Sequence, residues 1–454
     1  MKIIVGNQKG GVGKSTLCFL LANYFCNVKD EGVLCLDFDP QLTLYKQWKE
    51  QVDTFDNDVP YQVLKHDLTE GPTVLEQLST EELKEAIVFI DVPGNLSDDD
   101  LIYIYQEADV IICPFHYDEK SFESTYVFSQ VMKDYLEARF EKQFHDNSYG
   151  YRPLRSAHEA LEQVRKNVRK RDWVIDMDIK GFFDEVSHEL LMKALERHVD
   201  ARWVKMYIKR WLEAPIESES KELIYRTGKG TPQGGVISPL LVNLFLHYVF
   251  DKWLEQTYPN LMFVRYADDI IVHCSTKEES EEVLASIKSR MAACQLPLHE
   301  GKTKIVFCKK FKRRSTSKMV KFDFLGFSFQ PRPSATKSGR MFLGYDCAIS
   351  HSSKNKIISD IKSTKFQRWT NRSIEDIADF FNTKIQGWIN YYGKFRKYKL
   401  NSLFRIFEGR LIEWARRRYK RFNNSYIKAS KWFYRFKKKN VRLFVHWERG
   451  FINA

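Results

Sequence analysis

Arginine is absent from the first 133 residues of this 454-residue chain and becomes frequent from Arg139 onward. The same 133 residues hold 10 lysines against 23 acidic residues, a net charge of −13, whereas the remainder holds 62 basic against 36 acidic residues, or +26. A change of this size in charge and residue usage indicates two segments with different partners. The alternative is one domain with a polarised surface.

Strand-like and helix-like stretches alternate in the acidic segment. Apolar strands are predicted at 2–6, 33–38, 86–90 and 110–114, and an apolar helix at 17–28 follows the first of them. This alternation is typical of a parallel, doubly wound α/β sheet.

A glycine-rich turn, QKGGVGKST at 8–16, joins the first strand to the first helix. In such a turn the backbone N–H groups converge on a phosphate at the helix N-terminus, while Lys14 reaches the phosphates and Ser15 holds Mg²⁺. Gln8 stands where the strict P-loop pattern has glycine. The variant KGGVGKST resembles the deviant P-loop of the ParA/MinD partition ATPases, and the resemblance ends near Val131.

That resemblance implies an ATP site with Mg²⁺. Lys9 would reach a nucleotide across a homodimer, Asp39 would orient the attacking water, and Asp91, at the end of the third strand, would support Mg²⁺. The ATP-binding residues implied are Lys9, Gly10, Gly11, Gly13, Lys14, Ser15, Thr16, Asp39 and Asp91.

Three stretches decide the interpretation of the basic segment. WVIDMDIKGFFD at 173–184 is an apolar strand that ends in acidic residues, FVRYADDIIVH at 263–273 is a hairpin with paired aspartates, and GKGTPQGGVISPL lies between them at 228–240. Nucleotidyl transfer uses two Mg²⁺ ions bridged by carboxylates, which a strand-end aspartate facing such a hairpin would supply. Paired aspartates in one hairpin alone are more often a simple turn.

DIKGFFD, PQGG and YADD, in this order and at these separations, resemble the palm motifs of group II intron reverse transcriptases. YGYRP at 149–153, RSAH at 155–158, LHEGKTK at 298–304 and FLGF at 324–327 match the same family. The resemblance implies an RNA-directed DNA polymerase and intron maturase, with Mg²⁺ as cofactor and with group II intron RNA, a DNA primer or target and dNTPs as partners.

The same resemblance suggests the site residues. Asp176, Asp178 and Asp184 are all candidates for the first metal ligand. Asp178 is favoured because Phe183 then stands where reverse transcriptases screen against the ribose 2′-hydroxyl. The paired ligands would be Asp268 and Asp269.

Two further groups complete the predicted site. Gln233, Gly234 and Gly235 would lie beside the templating base pair. Lys302 would help to protonate pyrophosphate, with Lys304 as the alternative.

Residues 331–454 carry 29 basic against 8 acidic residues, interleaved with aromatic ones. Cations follow phosphates and aromatic faces stack on unpaired bases, so this composition suits RNA binding. Amphipathic helices are predicted at 374–392, capped by Ser373, and at 400–419. The stretches GWINYY and WARR resemble the thumb, or maturase (X), domain of the same family.

The predicted fold class is multidomain. An α/β P-loop half-domain with a parallel sheet (1–131) precedes an α+β reverse transcriptase palm with partial fingers (132–330) and an α-helical thumb/maturase domain (331–454). The first two are predicted to meet inside one helix at 123–144. The acidic segment stands where family members have most of their fingers.

The longest apolar run, 17–25, is much shorter than the roughly 20 residues that span a bilayer, so we expect a cytoplasmic protein with no membrane partner. Two alternatives to the polymerase remain open at this stage. One is a partition-type ATPase tethered to nucleic acid by its tail, and the other is a recombinant reading frame with neither enzyme intact.

Overall fold

The computed structural model describes the chain except residues 8–12, 55–58, 79–85, 95–98, 115–118, 218–222, 226–227, 233, 312–316, 337 and 453–454. Two compact units divide it. The first comprises Met1–His145, Gly181–Lys252 and Cys294–Leu296, and the second comprises Asp146–Lys180, Trp253–Ala293 and Pro297–Ala454.

Strands and helices alternate in the N-terminal part of the chain, and helices predominate toward the C-terminus. The strands are β1 (Lys2–Val5), β2 (Val33–Asp37), β3 (Gln62–Lys65), β4 (Ile87–Asp91), β5 (Val110–Ile112), β6 (Trp173–Met177), β7 (Ile216–Glu217), β8 (Leu223–Ile224), β9 (Met262–Tyr266), β10 (Asp269–Cys274), β11 (Lys304–Phe307), β12 (Phe322–Phe324), β13 (Phe327–Ala335) and β14 (Met341–Ile349). The helices are α1 (Lys14–Asn27), α2 (Thr43–Thr54), α3 (Gly71–Gln77), α4 (Asp99–Gln106), α5 (Glu119–Phe140), α6 (Ala157–Lys170), α7 (Phe182–Glu185), α8 (His188–Glu196), α9 (Arg202–Glu213), α10 (Ser238–Leu246), α11 (Lys252–Thr257), α12 (Lys277–Ala293), α13 (His351–Ser363), α14 (Ile374–Tyr392), α15 (Asn401–Arg418), α16 (Tyr426–Lys439) and α17 (Val445–Glu448).

The N-terminal sheet of the first unit is parallel, with strand order β3-β2-β4-β1-β5. Its central strands β1 and β4 are almost wholly buried, as continuous apolar runs in a parallel sheet require. Gly13 adopts a left-handed conformation (φ 81°) immediately before α1, which a glycine tolerates without strain. The predicted α/β P-loop half-domain is therefore confirmed as a fold.

The first unit also contains helices from the basic segment. Helix α10 is apolar and buried along most of its length, which places it in the core of this unit. Helix α9 meets the edge strand β5, where the Tyr207 hydroxyl donates to the Ile111 carbonyl over 2.7 Å. The predicted helix across the junction is present as α5, which ends at Phe140 rather than at 144.

An antiparallel sheet with order β11-β6-β10-β9 forms the centre of the second unit. Helix α6 packs against it and begins with a capping box, in which the Ser156 hydroxyl accepts from the Glu159 N–H and the Glu159 carboxylate accepts from the Ser156 N–H. A second antiparallel sheet, β12-β13-β14, follows along the chain. The predicted α+β segment is thereby confirmed as a fold.

The C-terminal part of the second unit is helical, as predicted. Helix α14 starts at the predicted cap, Ser373, and α15 matches the second predicted helix to within a residue at each end. None of the helices in the described part of the chain combines the length and apolarity needed to cross a bilayer.

The prediction that aromatic residues of this helical part stack on RNA bases is wrong for several of those on which it was based. Phe381, Trp414 and Phe433 are at most 1% exposed and form a common hydrophobic core. Phe380 and Tyr434 are 40% and 38% exposed. The helices need these large apolar side chains to pack on one another, which the interleaved sequence pattern concealed.

Candidate functional site

The β9–β10 hairpin carries the paired aspartates at its turn. Tyr266 pairs with Asp269, so the turn consists of two residues, Ala267 and Asp268. Ala267 lies in the left-handed region (φ 56°), a conformation that disfavours an L-residue by about 1 kcal/mol. The hairpin thus presents Asp268 and Asp269 side by side at the end of the sheet.

The neighbouring strand β6 brings Asp178 to the same end. The last pair between β6 and β10 joins Met177 to Ile270, so Asp178, the residue after β6, lies at the end of the sheet that carries the hairpin turn. Strand register therefore brings together the predicted first ligand and the predicted paired ligands.

The backbone of Asp178 is fixed by the turn before β11. The His299 N–H donates to the Asp178 carbonyl over 2.8 Å, and the Asp178 N–H donates to the Thr303 hydroxyl over 3.3 Å. Lys302, from the same turn, has its ammonium 3.4 Å from Asp178 Oδ2 and its side chain 62% exposed. Lys302 can therefore turn toward a bound anion without disturbing the sheet.

Asp176 and Asp184, the two other candidates for the first ligand, occupy different surroundings. Asp176 forms an ion pair with Lys304 over 3.2 Å, and its side chain is 17% exposed. Burial raises the pKa of Asp176 to about 6, against the opposing effect of the Lys304 charge. Asp184 is an exposed residue of α7 in the first unit.

The pKa values of both paired aspartates are raised above the ordinary value. Desolvation, followed by the negative charges of Asp268, Asp176 and Asp178, raises the pKa of Asp269 to about 6. The pKa of Asp268 is also raised, first by burial and then by the charge of Asp178. Carboxylates that repel one another in this way are relieved by a shared cation.

Carboxylate oxygens are the donors that Mg²⁺ prefers, so the chemistry of the site fits this ion. Among the described residues, no group of three or more histidine, cysteine or acidic side chains forms a ready metal cluster.

Two positioning residues beside the hairpin were not singled out from the sequence. The segment before α6 runs along β9, where the Tyr149 N–H donates to the Arg265 carbonyl over 2.8 Å. A Cβ atom on Gly150 would lie 2.4 Å from the Ala267 backbone nitrogen. Arg265 is fully buried and donates to the Ala267 carbonyl over 3.2 Å. The glycine of the YGYRP motif was visible, but its contact with a hairpin more than a hundred residues away was not.

The predicted substrate-binding residues Phe183, Gly234 and Gly235 lie in the first unit, and Gln233 lies outside the described residues. The half-buried Phe183 accepts at its carbonyl from the Thr231 N–H over 2.6 Å, which fastens the glycine-containing loop to the start of α7. Gly234 (φ 85°) is exposed at the tip of that loop. Their approach to the aspartates of the second unit stays a prediction.

At the N-terminal sheet, strand pairing sets Asp37 and Asp91 beside each other. Asp37 accepts from the N–H groups of Asp39 and Tyr45, so it organises the loop before α2. The buried Asp91 carboxylate has no hydrogen-bond partner in the described part of the chain. Burial, reinforced by the charge of Asp37, raises its pKa to about 7, although the nearby Ser15 and Lys14 lower it.

The remaining predicted nucleotide ligands are placed as follows. Lys14 is 6% exposed at the start of α1, Ser15 is half-buried, and Thr16 is exposed beside it. Asp39 borders a cavity of about 620 Å³ at the carboxyl ends of β2 and β3. Lys9, Gly10 and Gly11 lie outside the described residues. An unpartnered buried carboxylate near a lysine and a serine fits a hydrated cation with a phosphate.

Three family models match the chain. "Reverse transcriptase (RNA-dependent DNA polymerase)" matches residues 126–329, and "Group II intron, maturase-specific domain" matches residues 354–433. The chain therefore carries a reverse transcriptase domain and a group II intron maturase-specific domain. "CobQ/CobB/MinD/ParA nucleotide binding domain" matches residues 3–199, so a segment of this type stands before most of the reverse transcriptase match.

Two of these matches overlap over residues 126–199. Within the overlap, β6 pairs antiparallel with β10 and β11, a pairing that belongs to the sheet with the aspartate hairpin. Among the described residues, the parallel sheet has no strand after β5. Strand pairing therefore assigns β6 to the reverse transcriptase match.

Individual relatives agree with these matches. Protein YkfC of Escherichia coli is 31% identical over 218 residues, which are 39% of this chain and 56% of that protein. The group II intron-encoded protein LtrA of Lactococcus lactis is 33% identical over 130 residues, 29% of this chain and 21% of LtrA. An uncharacterized 91 kDa protein in the cob intron of Schizosaccharomyces pombe is 26% identical over 334 residues, 58% of this chain and 40% of that protein. The chain thus spans about half or less of each relative.

Proposed function

We propose that this chain is an RNA-directed DNA polymerase that also assists the splicing and mobility of a group II intron RNA. The observation that supports the proposal is the strand register, in which Met177 pairs with Ile270 and Tyr266 with Asp269, so that the end of β6 adjoins the hairpin that carries Asp268 and Asp269. Its nucleic-acid partners would be the intron RNA and a DNA primer or target, and its substrates would be dNTPs.

Asp178, Asp268 and Asp269 would hold Mg²⁺ in this proposal. Mg²⁺ bound there would neutralise charge at the attacking primer hydroxyl and at the leaving pyrophosphate. Lys302 would carry the proton for pyrophosphate on its exposed ammonium. Its pairing with Asp178 supports this role, whereas Lys304 is occupied by Asp176 at the sheet edge.

The predicted substrate contacts are part of the same proposal. Phe183 would screen against the ribose 2′-hydroxyl, and the loop carrying Gln233, Gly234 and Gly235 would pass beside the templating base pair. The hydrogen bond between Thr231 and the Phe183 carbonyl supports a joint role for these residues, because it ties the loop to the start of α7.

Primer extension by the full chain on an RNA template tests the polymerase. We expect Mg²⁺-dependent extension that falls at least a hundredfold in Asp268→Asn, because loss of a bridging carboxylate removes charge at the transition state. The matched control is Glu281→Gln, which removes an exposed carboxylate of α12 that pairs with Lys277. Extension that survives in Asp268→Asn, or that is absent from the parent chain across a range of Mg²⁺ concentrations, would overturn the proposal.

A second function is supported by the unpartnered Asp91. We propose that residues 1–131 bind ATP with Mg²⁺ through Lys14, Ser15 and Asp91, together with the glycine-rich turn. The proposed division of the rest is a palm with partial fingers at 132–330 and a thumb/maturase domain at 331–454. The homodimer implied by the partition ATPases, with Lys9 reaching across it, belongs to this second proposal.

Nucleotide binding is tested by calorimetry with ATP and Mg²⁺, and dimerisation by sedimentation with and without the nucleotide. We expect Lys14→Ala to abolish binding, because the ammonium neutralises phosphate charge at the start of α1. Lys29→Ala, in an exposed position beyond the end of α1, is the control for loss of one lysine. Equal ATP affinity in Lys14→Ala and the parent chain would remove this function.

A further inference from the structure

One carboxylate in the second unit is shared by two arginines from distant parts of the chain. Asp346, in β14, accepts through Oδ1 from Arg165 Nε over 2.7 Å and through Oδ2 from Arg396 Nε over 3.0 Å. Their side chains are only 16–20% exposed. Arg165 belongs to α6 and Arg396 to the segment after α14, so a single carboxylate ties the palm helix to the helical C-terminal part.

Both arginines are held by further contacts. Arg396 donates to the Pro333 carbonyl over 3.1 Å and to the Ser334 hydroxyl over 3.0 Å, both on β13. The Arg165 guanidinium lies over the Phe395 ring, 4.8 Å from its centroid. The chain immediately after α14 is therefore fastened to β13, β14 and α6 together, with Asp346 at the centre.

The fastened segment directly follows the aromatic end of α14. The Tyr391 hydroxyl donates to the Leu325 carbonyl over 2.9 Å, and the Tyr391 carbonyl lies 2.8 Å from His158 Nε2. Tyr391 and Tyr266 border the same hydrophobic cluster, so the end of α14 lies close to the YADD hairpin. A shift of this end would change what the helical part presents beside Asp268 and Asp269.

We propose that Asp346 is a positioning residue that locks the end of α14 onto the palm sheet and so sets the grip of the helical part on the primer–template duplex. The inference rests on the proposed polymerase function. Asp346 touches neither substrate nor metal in this scheme. Its effect is on how firmly the duplex is held, while the aspartate hairpin sets the chemical step.

The test compares Asp346→Asn with the parent full chain in two separate measurements. Fluorescence titration without dNTPs gives the Kd for an RNA template annealed to a DNA primer, and single-nucleotide extension at saturating duplex gives kcat. We expect Kd to rise about tenfold and products to shorten, because the end of α14 loses its link to the palm sheet, while kcat stays within about twofold. A Kd and product length within twofold of the parent chain would overturn the proposal.

Additional variants separate positioning from loss of fold. If Asp346 acts through Arg396, then Arg396→Gln alone and the double variant should show the same loss as Asp346→Asn rather than the sum of two losses. Arg396→Lys, which keeps the charge, should recover part of the duplex affinity even where Asp346→Asn folds poorly. The control is Glu413→Gln, which breaks a comparable 2.7 Å pair with Arg416 inside α15 and should leave Kd unchanged.

The two proposals fail in different ways. A parent chain that binds duplex but extends no primer removes the polymerase and leaves the Kd comparison able to test Asp346. Additive losses in the double variant, or an equal loss in Glu413→Gln, would show a general effect on stability and would remove the positioning role.

Discussion

Replacement of Gly150 by alanine tests the geometry of the aspartate hairpin most directly. The added Cβ would lie 2.4 Å from the Ala267 nitrogen and 2.9 Å from the Tyr266 carbonyl carbon, whereas ordinary contact begins at 3.4 Å. Both neighbours are backbone atoms, so no side-chain rotation relieves the clash. Gly150 itself does not have a positive φ, so alanine brings no backbone strain of its own. The hairpin or the glycine segment must therefore move by about 1 Å.

A displacement of 1 Å at reacting groups can lower a catalytic rate about a hundredfold. The overpacking should also reduce the free energy of unfolding by about 1–3 kcal/mol. We expect Gly150→Ala to lose about two orders of magnitude in single-turnover incorporation of one dNTP at saturating primer–template. The Kd for the duplex should change by less than about threefold, because the substitution moves the hairpin and leaves the helical part in place.

Gly387→Ala and Gly409→Ala are matched controls, because a Cβ at either position meets no atom within 4 Å. Both glycines lie inside helices, where alanine should add roughly 0.5–1 kcal/mol of stability. A Gly150→Ala chain that is folded by circular dichroism and incorporates dNTP within threefold of the parent rate would refute the packing argument. It would also show that the hairpin position does not limit the rate.

Three other predictions concern stability. Lys310 donates to the Val168 carbonyl at the end of α6 over 2.9 Å and pairs with Asp172 over 2.5 Å, so Lys310→Met should lower the free energy of unfolding in urea by about 2 kcal/mol. Burial lowers the pKa of His273 to about 3. Between about pH 6.5 and 3 the unfolded chain therefore binds a proton at His273 and the folded chain does not, so the stability falls as the pH falls. His273→Leu should therefore gain about 2 kcal/mol more over the parent chain at pH 5 than at pH 7, and an equal gain at both pH values would contradict this pKa. Tyr207→Phe should cost about 1 kcal/mol, measured by urea unfolding, by leaving the Ile111 carbonyl without this donor.

Much of the fold could be predicted from local patterns in the sequence. The cap at Ser373 predicts the start of α14 because the capping box involves residues only three apart. The strand ends at Asp37 and Asp91 follow from short apolar runs, and parallel pairing follows from their alternation with helices. These features depend on neighbours in sequence, which is why they could be predicted from one chain.

Contacts between distant segments could not be predicted in the same way. Gly150 looks like an ordinary turn glycine until the Ala267 backbone is set against it. Asp346 stands in a strand with no motif around it, and its two arginines lie 181 and 50 residues away along the chain. The prediction that aromatic residues of the helical part stack on RNA bases failed for a related reason. Residue type alone does not distinguish a buried ring such as Trp414 from one that faces RNA.

Distant contacts also join the segments of the ParA-type match and of the reverse transcriptase match. An edge strand such as β5 leaves backbone groups open to unwanted pairing unless something covers them. Here α9, which lies in the reverse transcriptase match, packs on β5 with the Tyr207 hydroxyl on the Ile111 carbonyl, and residues 1–145 and 181–252 belong to one compact unit. At the C-terminal end of α5, Phe140 is fully buried and meets the His198 ring at 5.7 Å, so the junction helix is itself packed against the polymerase segment. The acidic segment is therefore part of the folded support for α9, and a chain cut at residue 133 would lose the strand that α9 packs against.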